Sequence, residues 1–144
     1  MVVMGNSVRY LAQSAQAAGA RVIAVDAFAD RDTRAASAAW HCAGEPSPQA
    51  LWATASAVLA AQPGAWCYGA GFESAPRLLR DLASRHRQLQ GNPPQVLELL
   101  QEIPRWLALL DQLEIPRPPT QCHPPAAPQG WLTKPAGGCG GQAV

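Results

Sequence analysis

The chain has 144 residues, of which 48% are hydrophobic and 15% charged, and its formal net charge is +1. This length and composition are typical of a soluble globular protein with a core of its own, and they exclude a disordered one. The near-neutral charge argues against a nucleic-acid-binding face, and no apolar run is long enough to cross a bilayer.

The N-terminus lacks the charged segment and cleavage site of a signal peptide, which predicts a cytoplasmic protein. The chain has four cysteines, Cys42, Cys67, Cys122 and Cys139. They show no Cys-x-x-Cys spacing, so we expect reduced thiols. The pairs His41-Cys42 and Cys122-His123 could supply four zinc ligands, but adjacent ligands are not the spacing of a structural zinc site. We therefore predict ordinary loop residues there and no metal ligands in this chain.

The first 26 residues predict a strand, a glycine turn, a helix and a second strand. Met1 to Met4 is apolar, residues 8–18 repeat apolar side chains at helical spacing, and residues 21–26 form a β-branched run typical of a buried parallel strand. Open α/β sheets bind ligands at the carboxyl ends of such strands. We therefore predict that Gly5 and Asp26 contact a substrate.

A dinucleotide-binding site is an alternative at the same turn, because Gly5 and Asp26 lie about twenty residues apart. The dinucleotide fingerprint requires three glycines, and the run Gly5-Asn6-Ser7-Val8-Arg9-Tyr10 contains one. The sequence therefore disfavours a nicotinamide-dependent enzyme, which remains as a further hypothesis.

Residues 27–33 predict a polar loop, in which Asp30 and Asp32 either bind a cation or are solvated. A weak strand is expected near Ala39 to His41. Residues 48–61 predict an alanine-rich helix with one apolar face.

Residues 64–73 predict another strand followed by a glycine turn. Gly71 would leave room at the end of this strand, and Glu73 would point into the resulting crevice as a substrate contact. The alternative for Glu73 is an acid favoured by the dipole at the start of the next helix, which is predicted for residues 76–87.

Residues 91–94 mark a break, and two helices follow, at residues 96–100 and 104–113. A proline-rich connector at 122–129 leads to the last fifteen residues. There Trp131 to Lys134 predicts a short strand, and the next seven residues predict a loop with four glycines.

Lys134 is the only lysine of the chain. An ammonium beside a backbone that can aim several N–H groups at one point suits phosphate oxygens. No Gly-Lys-Ser/Thr ends the loop, so it is not a P-loop. The alternative is a flexible glycine-rich tail.

The run Lys-Pro-Ala-Gly-Gly-Cys-Gly-Gly, residues 134–141, closely resembles the ATP-grasp superfamily, especially the uncharacterised proteins related to predicted ATP-dependent carboligases. The loop at residues 28–33, the segment at 68–73 and the Ile-Pro-Arg-Pro run at 115–118 extend the resemblance through most of the chain. Two departures stand out. Glu114 replaces a family glycine, and Gln101-Glu102 stand where relatives carry Lys-Asp, so an ATP contact is missing there unless Arg105 supplies it.

The resemblance implies an α/β fold in which a Rossmann-like parallel sheet with flanking helices, a pre-ATP-grasp domain, precedes the start of an ATP-grasp domain. We expect the leading domain at 1–92, a helical linker at 93–121 and a truncated ATP-grasp start at 122–144. The chain is thus interpreted as an N-terminal fragment, of unknown oligomeric state.

The resemblance also implies a ligase that uses ATP to activate a small-molecule carboxylate as an acylphosphate, which an amine then attacks. Lys134, Gly137, Gly138, Gly140 and Gly141 would bind the ATP phosphates. Mg²⁺ is implied, with its ligands and the catalytic residues outside this chain, which alone should not turn over. The alternative is a non-catalytic Rossmann-like binding module.

Overall fold

The computed structural model describes residues 1–134. The chain divides into two compact units, the first spanning Met1–Pro94 and the second beginning at Gln95. The break lies two residues after the one that we expected at residue 92. Whether residues 95–121 and 122–144 differ as linker and domain stays a prediction.

The first unit contains a four-stranded sheet in which all three neighbouring pairs are parallel. Its strands are β1 (Val2–Gly5), β2 (Ile23–Asp26), β3 (Ala39–Cys42) and β4 (Trp66–Tyr68), in the order β3-β2-β1-β4. Helices flank this sheet, so the predicted α/β class is confirmed, and the arrangement is consistent with a Rossmann-like domain. The weak strand expected near residue 39 is β3.

Four helices connect and cover the strands: α1 (Arg9–Ala17), α2 (Arg31–Ala35), α3 (Pro48–Ala61) and α4 (Pro76–Arg85). The start of α3 shows why these residues form a helix. The Ser47 hydroxyl accepts a hydrogen bond from the Ala50 N–H at 3.2 Å, and Pro48 occupies the first turn, where its missing N–H costs nothing.

The buried apolar core runs from Val2 to Leu82 and so belongs to the first unit. Strands β1 and β2 are buried at every position, as parallel strands covered on both faces must be. Helix α3 contributes the face that the sequence predicted, Leu51, Ala55, Val58 and Leu59. Trp66 and Phe72, the largest buried side chains, lie at and just after β4.

Helix α4 ends two residues earlier than predicted, because the chain after it runs beside β4. The Trp66 N–H donates to the Gln88 carbonyl, and the Gln90 N–H donates to the Trp66 carbonyl. These bonds cover the outer edge of β4, where unpaired backbone groups would otherwise be exposed.

Helix α5 (Pro94–Gln101) begins at the last residue of the first unit, and α6 (Ile103–Gln112) belongs to the second unit. After α6, Arg117 makes two hydrogen bonds to the Asp111 carboxylate, at 3.0 and 2.8 Å. The strand expected at Trp131 to Lys134 is not formed, because a strand needs a neighbouring chain to pair with and none is paired here. Among residues 1–134, no helix is long and apolar enough to cross a membrane.

Candidate functional site

The order of the strands places a switch point between β1 and β4. The chain leaves β1 through α1 toward β2 on one side, whereas β4 lies on the other side of β1. Loops that leave neighbouring strands in opposite directions open a crevice at their carboxyl ends, which is where α/β sheets bind ligands. Gly5 and Gly71, both predicted as substrate contacts, lie at this position: Gly5 is the last residue of β1, and Gly71 lies in the loop after β4. We call the crevice between these loops the β1/β4 notch.

The base of the β1/β4 notch is held by backbone hydrogen bonds. The Gly69 N–H donates to the Met4 carbonyl at 2.8 Å, and the Asn6 N–H donates to the Ala70 carbonyl at 2.7 Å. A Cβ on Gly5 would lie 2.9 Å from the Ala70 carbonyl oxygen. Glycine is therefore required at position 5 because the two loops approach each other closely.

At position 71, glycine is required by the backbone conformation as well as by close contacts. Its φ of +128° is a conformation that side chains disfavour, and an added Cβ would lie 2.6 Å from Leu51 Cδ1 and 2.8 Å from Asn6 Oδ1. Gly71 is thus enclosed between the core and the amide of Asn6. The room that the sequence predicted here is occupied by the protein's own side chains.

Glu73 is half-buried and supports the Gly71 turn, since its Oε2 accepts a hydrogen bond from the Gly71 N–H at 2.7 Å. It also acts on Tyr68, at the end of β4. Burial raises the pKa of the Tyr68 phenol, and the negative charge of Glu73 raises it further. The Glu73 carboxylate therefore orders the turn after β4 through its bond to the Gly71 N–H.

Asp26 is placed differently from the other predicted contacts. Its side chain is fully buried, and its carboxylate accepts three backbone hydrogen bonds, from Val8 at 2.7 Å, Phe28 at 2.8 Å and Ala29 at 2.6 Å. It connects the end of β2 to the start of α1 and to the following loop. The predicted substrate contact at Asp26 has no support from this position, because those bonds would have to be lost.

The same geometry bears on the dinucleotide alternative. In a dinucleotide-binding fold the pyrophosphate lies at the N-terminus of the first helix, and the acid after the second strand binds a ribose. Here the acid after β2 turns inward and meets the Val8 N–H at the start of α1. The Asp26 carboxylate thus accepts the hydrogen bond of a backbone N–H that a bound phosphate would use in a dinucleotide-binding fold.

Asn6 is a residue of the β1/β4 notch that sequence reasoning did not select. Its Oδ1 lies beside Gly71 and is shielded from solvent. This oxygen has no hydrogen-bond partner within residues 1–134. A buried acceptor without a donor is uncommon in folded proteins. The sequence feature that could have identified Asn6 is its position directly after β1, next to Gly5.

The polar loop after β2 contains a short helix that was not predicted. Asp30 caps α2, its Oδ1 accepting from the Thr33 N–H at 2.8 Å, and this bond lowers the pKa of Asp30. Asp32 lies 3.7 Å from Arg9 in an exposed ion pair. Neither position favours the cation-binding alternative over the solvated one.

The zinc alternative also gains no support. His41 and Cys42 are consecutive on β3, so their side chains point to opposite faces of the strand. The Cys42 thiol donates to the Ala27 carbonyl, with Sγ 3.2 Å from the oxygen. In the described part of the chain, no three His, Cys, Asp or Glu side chains are grouped so that they could hold a metal ion.

Lys134, the predicted phosphate-binding residue, is exposed, and no carboxylate of the described residues pairs with its ammonium. Gly137, Gly138, Gly140 and Gly141 lie outside the described residues, so their prediction is untested. Arg105 pairs with Glu102 at 3.6 Å beside an open groove of about 460 Å³ that Gln101 and Cys122 also line.

Comparison of the chain with protein-family models, with curated proteins and with solved structures finds no match to any of the three.

Proposed function

We propose that this chain is the leading part of an ATP-grasp ligase that activates a carboxylate with ATP and joins it to an amine. The first unit would supply the substrate side through the β1/β4 notch. Lys134 and the four glycines that follow would bind the ATP phosphates. Mg²⁺ ligands would come from outside this chain.

The observation that carries the proposal is the run at residues 134–141, placed after a parallel α/β unit and a helical segment. Lys134, which pairs with no carboxylate of residues 1–134 and is followed in the sequence by four glycines, would offer phosphate oxygens a point charge and several N–H donors. Such positioning and charge stabilisation account for most of the catalysis of phosphoryl transfer.

Titration of ATP–Mg²⁺ into the protein expressed from its complete reading frame tests the proposal. We expect binding that Lys134→Ala weakens at least about tenfold, since a charge-assisted contact to phosphate is lost. Arg87→Ala, which removes the same charge from an exposed site, is the matched control. The proposal fails if ATP–Mg²⁺ does not bind, or if both variants bind it as the parent does.

A non-catalytic binding module is the second candidate, and the self-contained core of the first unit favours it. It predicts a well-folded protein without nucleotide affinity. A nicotinamide-dependent enzyme instead predicts binding of NADH that does not change in Lys134→Ala.

A further inference from the structure

We infer that two copies of this chain pair through the outer edge of β3, so that their two sheets join into one continuous sheet. The strand that occupies this edge is β3 of a second copy, which runs antiparallel to the first. The inference does not depend on the ligase proposal, because it concerns a backbone edge and no ligand.

The two edges of the sheet differ in their cover. At β4, the backbone of residues 88–90 covers the outer edge. On β3, the N–H groups of Ala39 and Ala43 donate to carbonyls just before and at the end of β2. Trp40 and Cys42, at the alternate positions, therefore direct their backbone N–H and C=O groups away from the sheet. Among residues 1–134, these backbone groups have no hydrogen-bond partner.

The side chains of β3 are also less covered than those of the inner strands. Strands β1 and β2 are buried at every position, whereas every side chain of β3 is half-buried or exposed. Trp40 remains 43% exposed, although the Arg34 guanidinium carbon lies 4.3 Å from the centre of its ring. The strand contains no lysine, acidic residue or proline, which are residues that keep an edge from pairing. An exposed tryptophan on such an edge favours contact with another strand.

A second copy fits this edge because the edge is complementary to itself. A two-fold axis through His41 places Trp40 of each copy opposite Cys42 of the other copy. In an antiparallel pair, facing residues of this kind exchange two N–H···O=C hydrogen bonds. The two facing pairs would therefore use all the outward backbone groups of Trp40 and Cys42.

The charges along this edge are complementary in the antiparallel arrangement. Two arginines, Arg31 and Arg34, lie on α2 before the strand, and the exposed Glu45 follows the strand. The two aspartates at α2 have partners within the same copy, one as the helix cap and the other in an ion pair with α1. Antiparallel pairing brings the end of each β3 beside the start of the other, so Glu45 of one copy approaches Arg34 of the other.

Sedimentation equilibrium of the 144-residue chain tests for the dimer. We expect a reversible equilibrium between one and two copies within about 10 μM to 1 mM, since a short edge makes a small interface. Amide exchange followed by NMR at a low and a high concentration identifies the surface. The amides of Trp40 and Cys42 should be protected at least about tenfold more at the high concentration. The Ala43 amide, which already bonds within the sheet, should not change.

Two variants with matched controls test the pairing. Trp40→Lys should raise the dissociation constant at least about tenfold, because the two-fold axis brings two ammonium groups into the interface. Tyr10→Lys adds the same charge at an exposed aromatic residue of α1 and should leave the constant unchanged. Glu45→Arg should raise it about tenfold at low ionic strength, because it meets Arg34 of the other copy. Glu114→Arg, at an exposed acid outside the first unit, should not.

A dimer that protects the Trp40 and Cys42 amides, and that weakens in Trp40→Lys and Glu45→Arg but in neither control, supports the inference. A single copy at every concentration, a dimer in which these amides stay unprotected, or equal responses of variants and controls overturns it. If an added extended peptide protects these amides while the chain stays single, the edge pairs with another strand and the assignment of a second copy is wrong.

Discussion

At the scale of single residues, the β1/β4 notch depends on a turn that only glycine can make at its centre. Gly71 combines a φ of +128° with close approach to Leu51 and Asn6, and its N–H is used by Glu73. The backbone conformation of Gly71, its packing against Leu51 and the position of the Glu73 side chain therefore depend on one another. A change there should affect both stability and the position of the carboxylate.

Gly71→Ala should lower the free energy of unfolding by about 2 kcal/mol or more, because the new Cβ adds backbone strain and displaces neighbouring side chains. Gly64→Ala is the matched control, since Gly64 has no positive φ and no atom within 4 Å of an added Cβ. Its effect should stay within about 0.5 kcal/mol. Urea unfolding measures both variants, and equal midpoints would contradict the packing described for Gly71.

The ionisation of Tyr68 reports on Glu73. In a Tyr10→Phe background, spectrophotometric titration follows the Tyr68 phenol alone, since the chain has two tyrosines. Glu73→Gln should lower the pKa of Tyr68, which should still exceed the ordinary value because burial, the larger cause, remains. An unchanged pKa would show that the carboxylate does not act on the phenol.

The sign of the resulting pH dependence follows from the raised pKa of Tyr68. The folded state favours the neutral phenol of Tyr68. The stability that folding gains from this preference is therefore fully present below the pKa of an unfolded tyrosine. It is lost as the pH rises through the higher folded value. Glu73→Gln should therefore reduce the loss of stability at alkaline pH.

At the scale of elements, Asp26 connects β2, the start of α1 and the loop before α2. The N–H groups of Val8, Phe28 and Ala29 all donate to the one buried carboxylate of Asp26. A charged acceptor at the start of a helix also meets the favourable end of its dipole.

Asp26→Ala should reduce the free energy of unfolding by about 3 kcal/mol or more, because several buried donors lose their acceptor together. Asp32→Ala removes an exposed carboxylate from the same region and should cost no more than about 1 kcal/mol. Chemical denaturation compares the two. A small effect at Asp26 would mean that water or another group replaces its bonds.

The long elements could be predicted from sequence because their signals are strong and local. The period of Leu51, Ala55, Val58 and Leu59 together with Ser47 and Pro48 fixes α3, and the β-branched run before Asp26 fixes β2. Helix α2 was missed because five residues carry too little periodicity, although Asp30 is a good cap.

The candidate site could be predicted only in part, because some of its contacts depend on tertiary packing. Gly5, Gly71 and Glu73 were selected because ligands gather at the ends of parallel strands, and the fold brings these residues to one notch. The inward turn of Asp26 and the contact of Asn6 with Gly71 depend on tertiary packing that no local pattern records. The same holds for Trp131 to Lys134, where strand formation needs a partner.

At the scale of the whole molecule, stability and the proposed chemistry are separated along the chain. The apolar core lies between Val2 and Leu82, whereas the predicted phosphate-binding run begins at Lys134. In the ligase that we propose, the first unit would therefore fold and hold a substrate independently of the ATP loop. This division predicts how the chain responds to shortening.

A polypeptide of residues 1–94 should fold, with a single cooperative urea transition that the fluorescence of its three tryptophans reports, since Trp66 is buried in the core. A polypeptide of residues 1–62 is the control and should not fold. It lacks β4 together with Phe72, Leu79 and Leu82, so β1 would lose one of its two neighbouring strands and the core much of its volume. If residues 1–94 showed no cooperative transition, the first unit would need the rest of the chain to fold, and the substrate site could not be independent of the ATP loop.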